Sequence, residues 1–151
     1  MKTAHTNQIR FQKRQNFYFL RVLRASLLLA ALGTSFAGHA GDTTPVDQLK
    51  AFSEQAGRPG DASQGELFFT QKHGGKWSCS TCHNAPPVTE GKHAATAKVI
   101  KPLAPVANPR VFTDTAKVDK WFKRNCKDVL ERECSPAEKA DVMAYLMGIK
   151  Q

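Results

Sequence analysis

The stretch Trp77-Ser78-Cys79-Ser80-Thr81-Cys82-His83 decides the fold. Two thiols three positions apart, followed at once by an imidazole, form the C-x-x-C-H pattern of covalent haem c attachment. The spacing has a physical reason. The thiols reach the two vinyl-derived positions on one edge of a porphyrin, and the adjacent imidazole then lies under the iron. A covalently held haem also supplies the large apolar body that a short chain lacks, so the flanking sequence need not be regular. Two other chemistries use the same residue types. Cys79, Cys82, Cys126 and Cys134 are acceptable zinc ligands, although the seven residues separating the second pair are a loose spacing for a zinc knuckle. A Cys79–Cys82 disulfide would suit a thioredoxin-like enzyme, but no βαβ pattern surrounds it.

Helix signals lie on both sides of this motif. Thr44-Pro45-Val46-Asp47 combines a hydroxyl cap, a proline where no N–H is needed and a carboxylate against the helix dipole, with Gly57 as the stop. Asp61-Ala62-Ser63-Gln64 predicts a second helix by a capping-box pattern, running through Gly65, Phe68 and Phe69 to the breakers Gly74 and Gly75. A third begins near Thr113 or Asp114 and puts Val118, Trp121 and Phe122 on one face. The fourth opens at Ser135-Pro136-Ala137-Glu138 and carries Val142, Tyr145, Leu146 and Ile149 at helical spacing, with Gly148 loosening its end. Alternating strand patterns are absent. The expectation is an all-α domain of about four helices and a long proline-rich loop wrapped around one covalent haem. That loop, about 40 residues with Pro86, Pro87, Pro102, Pro105 and Pro109, is too long to be structureless in a compact domain unless it is functional or wraps a ligand.

What stands on the other side of the iron decides the function, because a strong sixth ligand makes an electron carrier and a weak one leaves a site for small molecules. Met143 and Met147 are candidates, four residues apart inside the last helix. His73 lies close before the motif and His93 ten residues after His83. In Lys101-Pro102-Leu103-Ala104-Pro105-Val106-Ala107-Asn108-Pro109-Arg110 a proline-stiffened loop stands where many small cytochromes c present Met-Pro, but the residue before Pro109 is Asn108. An amide oxygen is a hard, neutral, weak donor, so it would hold ferric iron adequately and ferrous iron poorly. As a residue in an Asn-Pro turn, Asn108 is equally well explained by turn chemistry. Trp77, Trp121 and Arg110 carry donors suited to haem propionates. Leu103, Val106 and Phe112 are apolar residues suited to walling a distal pocket. Packing and surface solvation account for Trp77, Trp121 and Arg110 as well. No catalytic acid or base is evident.

Charge completes the reading. Of 151 residues 22 are Lys or Arg and 13 are Asp or Glu, a net charge of +9. Six of the basic residues, Lys2, Arg10, Lys13, Arg14, Arg21 and Arg24, fall in the first 40 positions with no acid among them. The remaining 111 residues hold 16 basic and 13 acidic side chains, net +3, which is not the basic face of a nucleic-acid-binding domain. The leader has a basic n-region, an apolar segment from Ala25 to about Phe36, and small residues at Ala37, Gly38 and Ala40. Residues 1–40 therefore read as a signal peptide cleaved after Ala40, leaving 41–151 as a monohaem domain in the periplasm. The apolar segment is well short of the roughly 20 residues a membrane span needs, so an uncleaved anchor is the lesser reading. In an oxidising compartment a disulfide is the default for Cys126 and Cys134, the alternative being a redox-active thiol pair.

Gly65 and Phe69 before the C-x-x-C-H motif, with Tyr145-Leu146 in a terminal helix, resemble a class I cytochrome c. More narrowly, Pro102-Leu103-Ala104-Pro105, Asn108-Pro109, Phe112-Thr113-Asp114 and Lys120-Trp121-Phe122-Lys123-Arg124-Asn125-Cys126 with Cys134 resemble the sphaeroides haem protein family, cytochrome SHP. The similarity runs from about Pro45 to Gly148. The resemblance implies a single haem c with His83 as proximal ligand, Asn108 as a distal ligand that leaves on reduction, and Cys126 bonded to Cys134. It further implies O2, NO or CO as small ligands and a di-haem cytochrome c as electron donor; a monomer is expected, and the charge distribution leaves no nucleic-acid partner. Reduction of O2 or NO is open as a further activity. The reading from another class is a plain electron carrier with Met or His permanently bound.

Overall fold

The computed structural model describes residues 41–150; the signal peptide expected over residues 1–40 lies outside them. Helix α1 (Pro45–Ala56) starts where Thr44 accepts a hydrogen bond from the Asp47 N–H and ends at Gly57, whose φ of 70° is the left-handed stop. Helix α2 (Ala62–Thr70) is capped by Asp61, which accepts from the N–H groups of Ser63 and Gln64. It finishes at Thr70, ahead of the glycines that the sequence nominated as its end. A short helix, α3 (Cys79–His83), is formed by the motif itself. Strands β1 (Gly91–Lys92) and β2 (Val99–Ile100) pair antiparallel, Gly91 opposite Ile100, and make a small hairpin within the long loop. Helices α4 (Thr115–Leu130) and α5 (Pro136–Gly148) follow, the first capped by Asp114 and the second by a reciprocal Ser135–Glu138 box with Pro136 at N1.

Thus the all-α class holds, with the hairpin and the motif helix as additions that periodicity did not reveal. Both are too short to carry a repeating apolar pattern. On α4 the buried stripe is Val118, Cys126 and Val129 with Phe122 half-buried, whereas Trp121 lies on the flank at 48% exposure rather than on the inner face.

The core has two clusters that share their rim. Phe52, Val118, Ala140 and Met143 join α1, α4 and α5; Phe69, Val142, Tyr145 and Leu146 join α2 and α5; Phe112 and Phe122 pack against both. Burial of one such large side chain contributes about 1.5–3 kcal/mol. The close crossing of α2 and α5 depends on Gly65. A Cβ at that position would overlap the Asp141 carbonyl oxygen and stand 2.9 Å from the Cβ of Tyr145. Asp141 is itself buried, and its carboxylate accepts both guanidinium N–H groups of Arg58 at 2.8 and 2.7 Å and the Asp61 N–H at 2.7 Å. These bonds fix the α1–α2 connection onto α5. Cys126 and Cys134 are joined by a disulfide, Cα to Cα 5.5 Å, across the turn between α4 and α5. Among the described residues no helix is long and apolar enough to cross a membrane.

Candidate functional site

The motif helix is set by its own hydroxyls. Ser78 accepts from the Thr81 N–H while the Thr81 side chain accepts from the Ser78 N–H, so a five-residue helix is capped on both sides of its first turn. Behind it, Asn84 adopts a left-handed φ of 64° and its amide donates to Thr89 and to the Glu90 carbonyl, turning the chain toward the hairpin. There Gly91 lies so close that a Cβ would overlap the Cys82 carbonyl oxygen and approach the His83 Cα to 3.1 Å. The Ala94 N–H points to the Cys82 sulfur at 3.4 Å. The hairpin is therefore the backing of the motif.

Cys79 and Cys82 are unpaired, and burial pushes the Cys79 thiol up to about 11. A thiol held protonated is a poor nucleophile at neutral pH, which weighs against dithiol exchange through Cys79. Zinc as a four-cysteine site is excluded because Cys126 and Cys134 are bonded to each other, and no group of three or more potential ligands gathers among the described residues. Burial likewise lowers the His83 pKa, which keeps the imidazole neutral and competent as a ligand. Its Nδ1 is buried with no hydrogen-bond partner among the described residues. An unsatisfied polar atom of this kind costs about 1–3 kcal/mol in a finished core, and the motif chemistry accounts for it: two thiols on one edge, an imidazole short of a partner. The residues fit a covalently attached haem.

The proline-rich loop faces the same core. Cys79, Leu103 and Phe112 all pack against the Phe69, Val142, Tyr145 and Leu146 cluster, and the Phe69 ring lies 6.3 Å from that of His83. Pro87, fully buried, accepts the N–H groups of both Leu103 and Ala104 at 3.0 Å, anchoring the loop next to the motif. The chain then turns tightly, Asn108 N–H to the Ala104 carbonyl at 3.0 Å, and the Asn108 side chain donates its Nδ2 to the Pro102 carbonyl at 2.9 Å. A carbonyl can only accept, so the amide nitrogen faces Pro102, and no described residue donates to Oδ1. Phe112, which closes the loop, sits at a left-handed φ of 61°.

The other candidates are occupied elsewhere. Met143 is 0% exposed in the Phe52 cluster, and Met147 packs against that cluster too. His73 bonds through Nε2 to the Phe68 carbonyl at 2.7 Å, and His93 accepts the Ala95 and Thr96 N–H groups on Nδ1. Val106 and Trp77 are half-buried and Arg110 is exposed. Trp121 carries Lys120 and Arg124 near its ring, at 5.9 and 5.6 Å. Sequence reasoning overlooked Pro87, Gly91 and the Pro102 carbonyl; the first two had only composition to mark them, and a backbone acceptor leaves no mark in sequence.

Residues 55–146 match a family model described as a domain of unknown function, DUF1924. The cytochrome c-type protein SHP of Cereibacter sphaeroides is 48% identical over 111 residues, covering 71% of this chain and 85% of that protein. The chain belongs to the SHP family of c-type cytochromes. A structure of oxidised SHP, described as an oxygen-binding cytochrome c, superposes with a TM-score of 0.65 at 45% identity, over 70% of this chain and 97% of that one. The solution structure of cytochrome c'' from Methylophilus methylotrophus, described in terms of haem-ligand detachment, gives 0.63 at 32% identity over 71% and 94%. As an SHP-family cytochrome the chain carries covalent haem c.

Proposed function

We propose that this chain is an exported, periplasmic monohaem cytochrome that accepts one electron and, once reduced, gives a diatomic molecule the place of Asn108. Cys79 and Cys82 would hold the haem edge, and His83 and Asn108, the latter through Oδ1, would be the residues that ligate it. When bound, haem c would supply a one-electron redox centre. The observation that carries the reading is the asymmetry at Asn108: its nitrogen is engaged by the Pro102 carbonyl at 2.9 Å, and no described residue donates to its oxygen. As a hard, neutral donor, the Asn108 oxygen would suit a ferric centre better than a ferrous one and would be released on reduction, leaving its NH2 group to donate a hydrogen bond to O2, NO or CO. Leu103, Val106 and Phe112 keep water out, and Pro102, Pro105 and Pro109 limit how far the loop relaxes. The relatives support the reading, one described as oxygen-binding and the other in terms of ligand detachment. The electron comes from a partner such as a di-haem cytochrome c; the protein works as a monomer, with reduction of O2 or NO as the reaction to which binding leads.

The plain-carrier alternative has less support, since Met143 is 0% exposed within the Phe52, Val118 and Ala140 cluster. Anaerobic reduction followed by optical titration with CO, NO and O2 tests the proposal. High-spin character after reduction and CO binding are expected. A reduced form that stays low-spin and ignores CO refutes it. Asn108→Ala should keep the haem attached and lose the redox-linked spin change, while Met143→Ala should retain that change.

A further inference from the structure

Segment 41–151 has a net charge of +3, and helix α4 alone has Lys117, Lys120, Lys123, Arg124 and Lys127 against Asp119 and Asp128, also +3. The whole excess is on one helix. Two of the five cations are neutralised, Lys117 by Asp114 at 2.8 Å and Lys123 by Glu133 at 3.2 Å. Lys120, Arg124 and Lys127 have no carboxylate partner among the described residues. Lys120 and Arg124 flank the ring of Trp121, which is 48% exposed although its neighbour Phe122 packs into both core clusters. A half-exposed tryptophan between two uncompensated cations has the composition of an interface anchor, because Trp and Arg dominate binding hot spots and complementary charge speeds encounter.

We infer that the outer flank of α4, with Trp121 at its centre and Lys120 and Arg124 beside it, docks an acidic electron-transfer protein. This rests on the proposed redox role, but not on the release of Asn108. Phe122, on the inner side of the same helix, packs in the cluster that also holds Cys79 and Leu103. A partner seated on the outer flank is thus about one helix diameter, ~10–12 Å, from the core cluster against which Cys79 and Leu103 also pack. An anionic membrane fits less well. A helix that lies on lipid needs an apolar face of its own, and the apolar stripe of α4 is turned into the core, with Asp119 and Asp128 among its exposed residues.

The test uses the full holoprotein, with an acidic plant-type [2Fe–2S] ferredoxin as probe. Titrating oxidised ferredoxin into the isotope-labelled oxidised protein should shift amides of α4 around residues 117–127, and the shifts should fade as salt shortens the Debye length to about 3 Å near 1 M. Reduction by reduced ferredoxin should slow about tenfold or more over that salt range. Lys120→Glu with Arg124→Glu should slow it comparably at low salt, and Lys98→Glu with Lys150→Glu should not. Trp121→Ala should weaken binding severalfold with an unchanged haem absorption spectrum. Shifts centred elsewhere, equal rates in the two charge-reversed pairs, or tighter binding to phosphatidylglycerol vesicles than to ferredoxin would overturn the inference. So would an altered haem spectrum in Trp121→Ala, which would place that ring in the haem pocket. Loss of CO binding with docking intact would count against the gated-ligand reading alone.

Discussion

The segment that backs Cys82 and the loop that presents Asn108 look alike in sequence, both rich in proline and short of periodicity, yet they are built in opposite ways. Around the motif the support is dense and local: the Ser78–Thr81 box caps the motif helix, the Asn84 amide fixes the turn that follows, and Gly91 lies so near the Cys82 carbonyl that no Cβ fits between them. The distal loop is tied to the motif side by two N–H groups on the Pro87 carbonyl; beyond them Asn108 is bonded only within its own turn, to Ala104 through its N–H and to Pro102 through its side chain. A permanent ligand needs the first kind of support. The displaceable one proposed at Asn108 needs the second, because a net hydrogen bond contributes only about 0.5–1.5 kcal/mol and is lost and remade at that scale.

The largest effect should come from removing the proximal chemistry. With Cys79→Ala and Cys82→Ala together, haem should no longer travel with the chain through denaturing electrophoresis and haem staining; retained stain would break the comparison at its root. Gly91→Ala comes next, with a loss of about 3 kcal/mol in denaturant unfolding, the upper range for overpacking against backbone. Cys126→Ser with Cys134→Ser should lower stability by ~2.5 kcal/mol on chain-entropy grounds, leaving CO binding by the reduced protein unchanged. An altered CO titration would mean that the α4–α5 turn and the distal loop act as one unit. Asn108→Ala should cost only about 1 kcal/mol, the bond to Pro102, while abolishing the spin change. A cost of several kcal/mol would show the two regions to be equally rigid.

The smallest expected effect concerns pH. The Arg58 guanidinium, through its hydrogen bonds to Asp141, holds that carboxyl below the usual carboxylate range. A depressed folded-state value gives stability that is present above the ordinary value of about 3.9 and lost as pH falls through the folded one. Wild type should therefore lose stability on acidification faster than Asp141→Asn, with the two curves converging at low pH. Parallel curves would make the Arg58 contact electrostatically idle.

Much of the architecture was legible because it is local. The caps at Thr44, Asp61, Asp114 and Ser135 are one-residue signals, and the structure uses all four. The hairpin was not legible, because two-residue strands carry no period, and its existence depends on Gly91 having a neighbour to pack against. Trp121 was misplaced by a related limit. Helical spacing puts it within reach of the apolar stripe, but the stripe is centred on Val118, Phe122, Cys126 and Val129, and Trp121 falls at its edge. The motif, the family resemblance and covalent haem c were readable from Cys79 to His83 and from the Asn-Pro and Trp-Phe elements. The anchoring of Asn108 was not, since Pro87 and Pro102 act through carbonyls that every residue has.

The ion-pair clamp on Asp141 also bears on the order in which the protein is completed. Asp61 and Asp141 lie 80 positions apart, and Gly65 meets the same turn of α5. A chain that emerges from its N-terminus presents Cys79 to His83 long before α5 exists to close over α2. Until that last helix arrives Cys79 lacks the cover of Val142, Tyr145 and Leu146, and the interval between the two events is a window in which a bulky group can be joined to the motif.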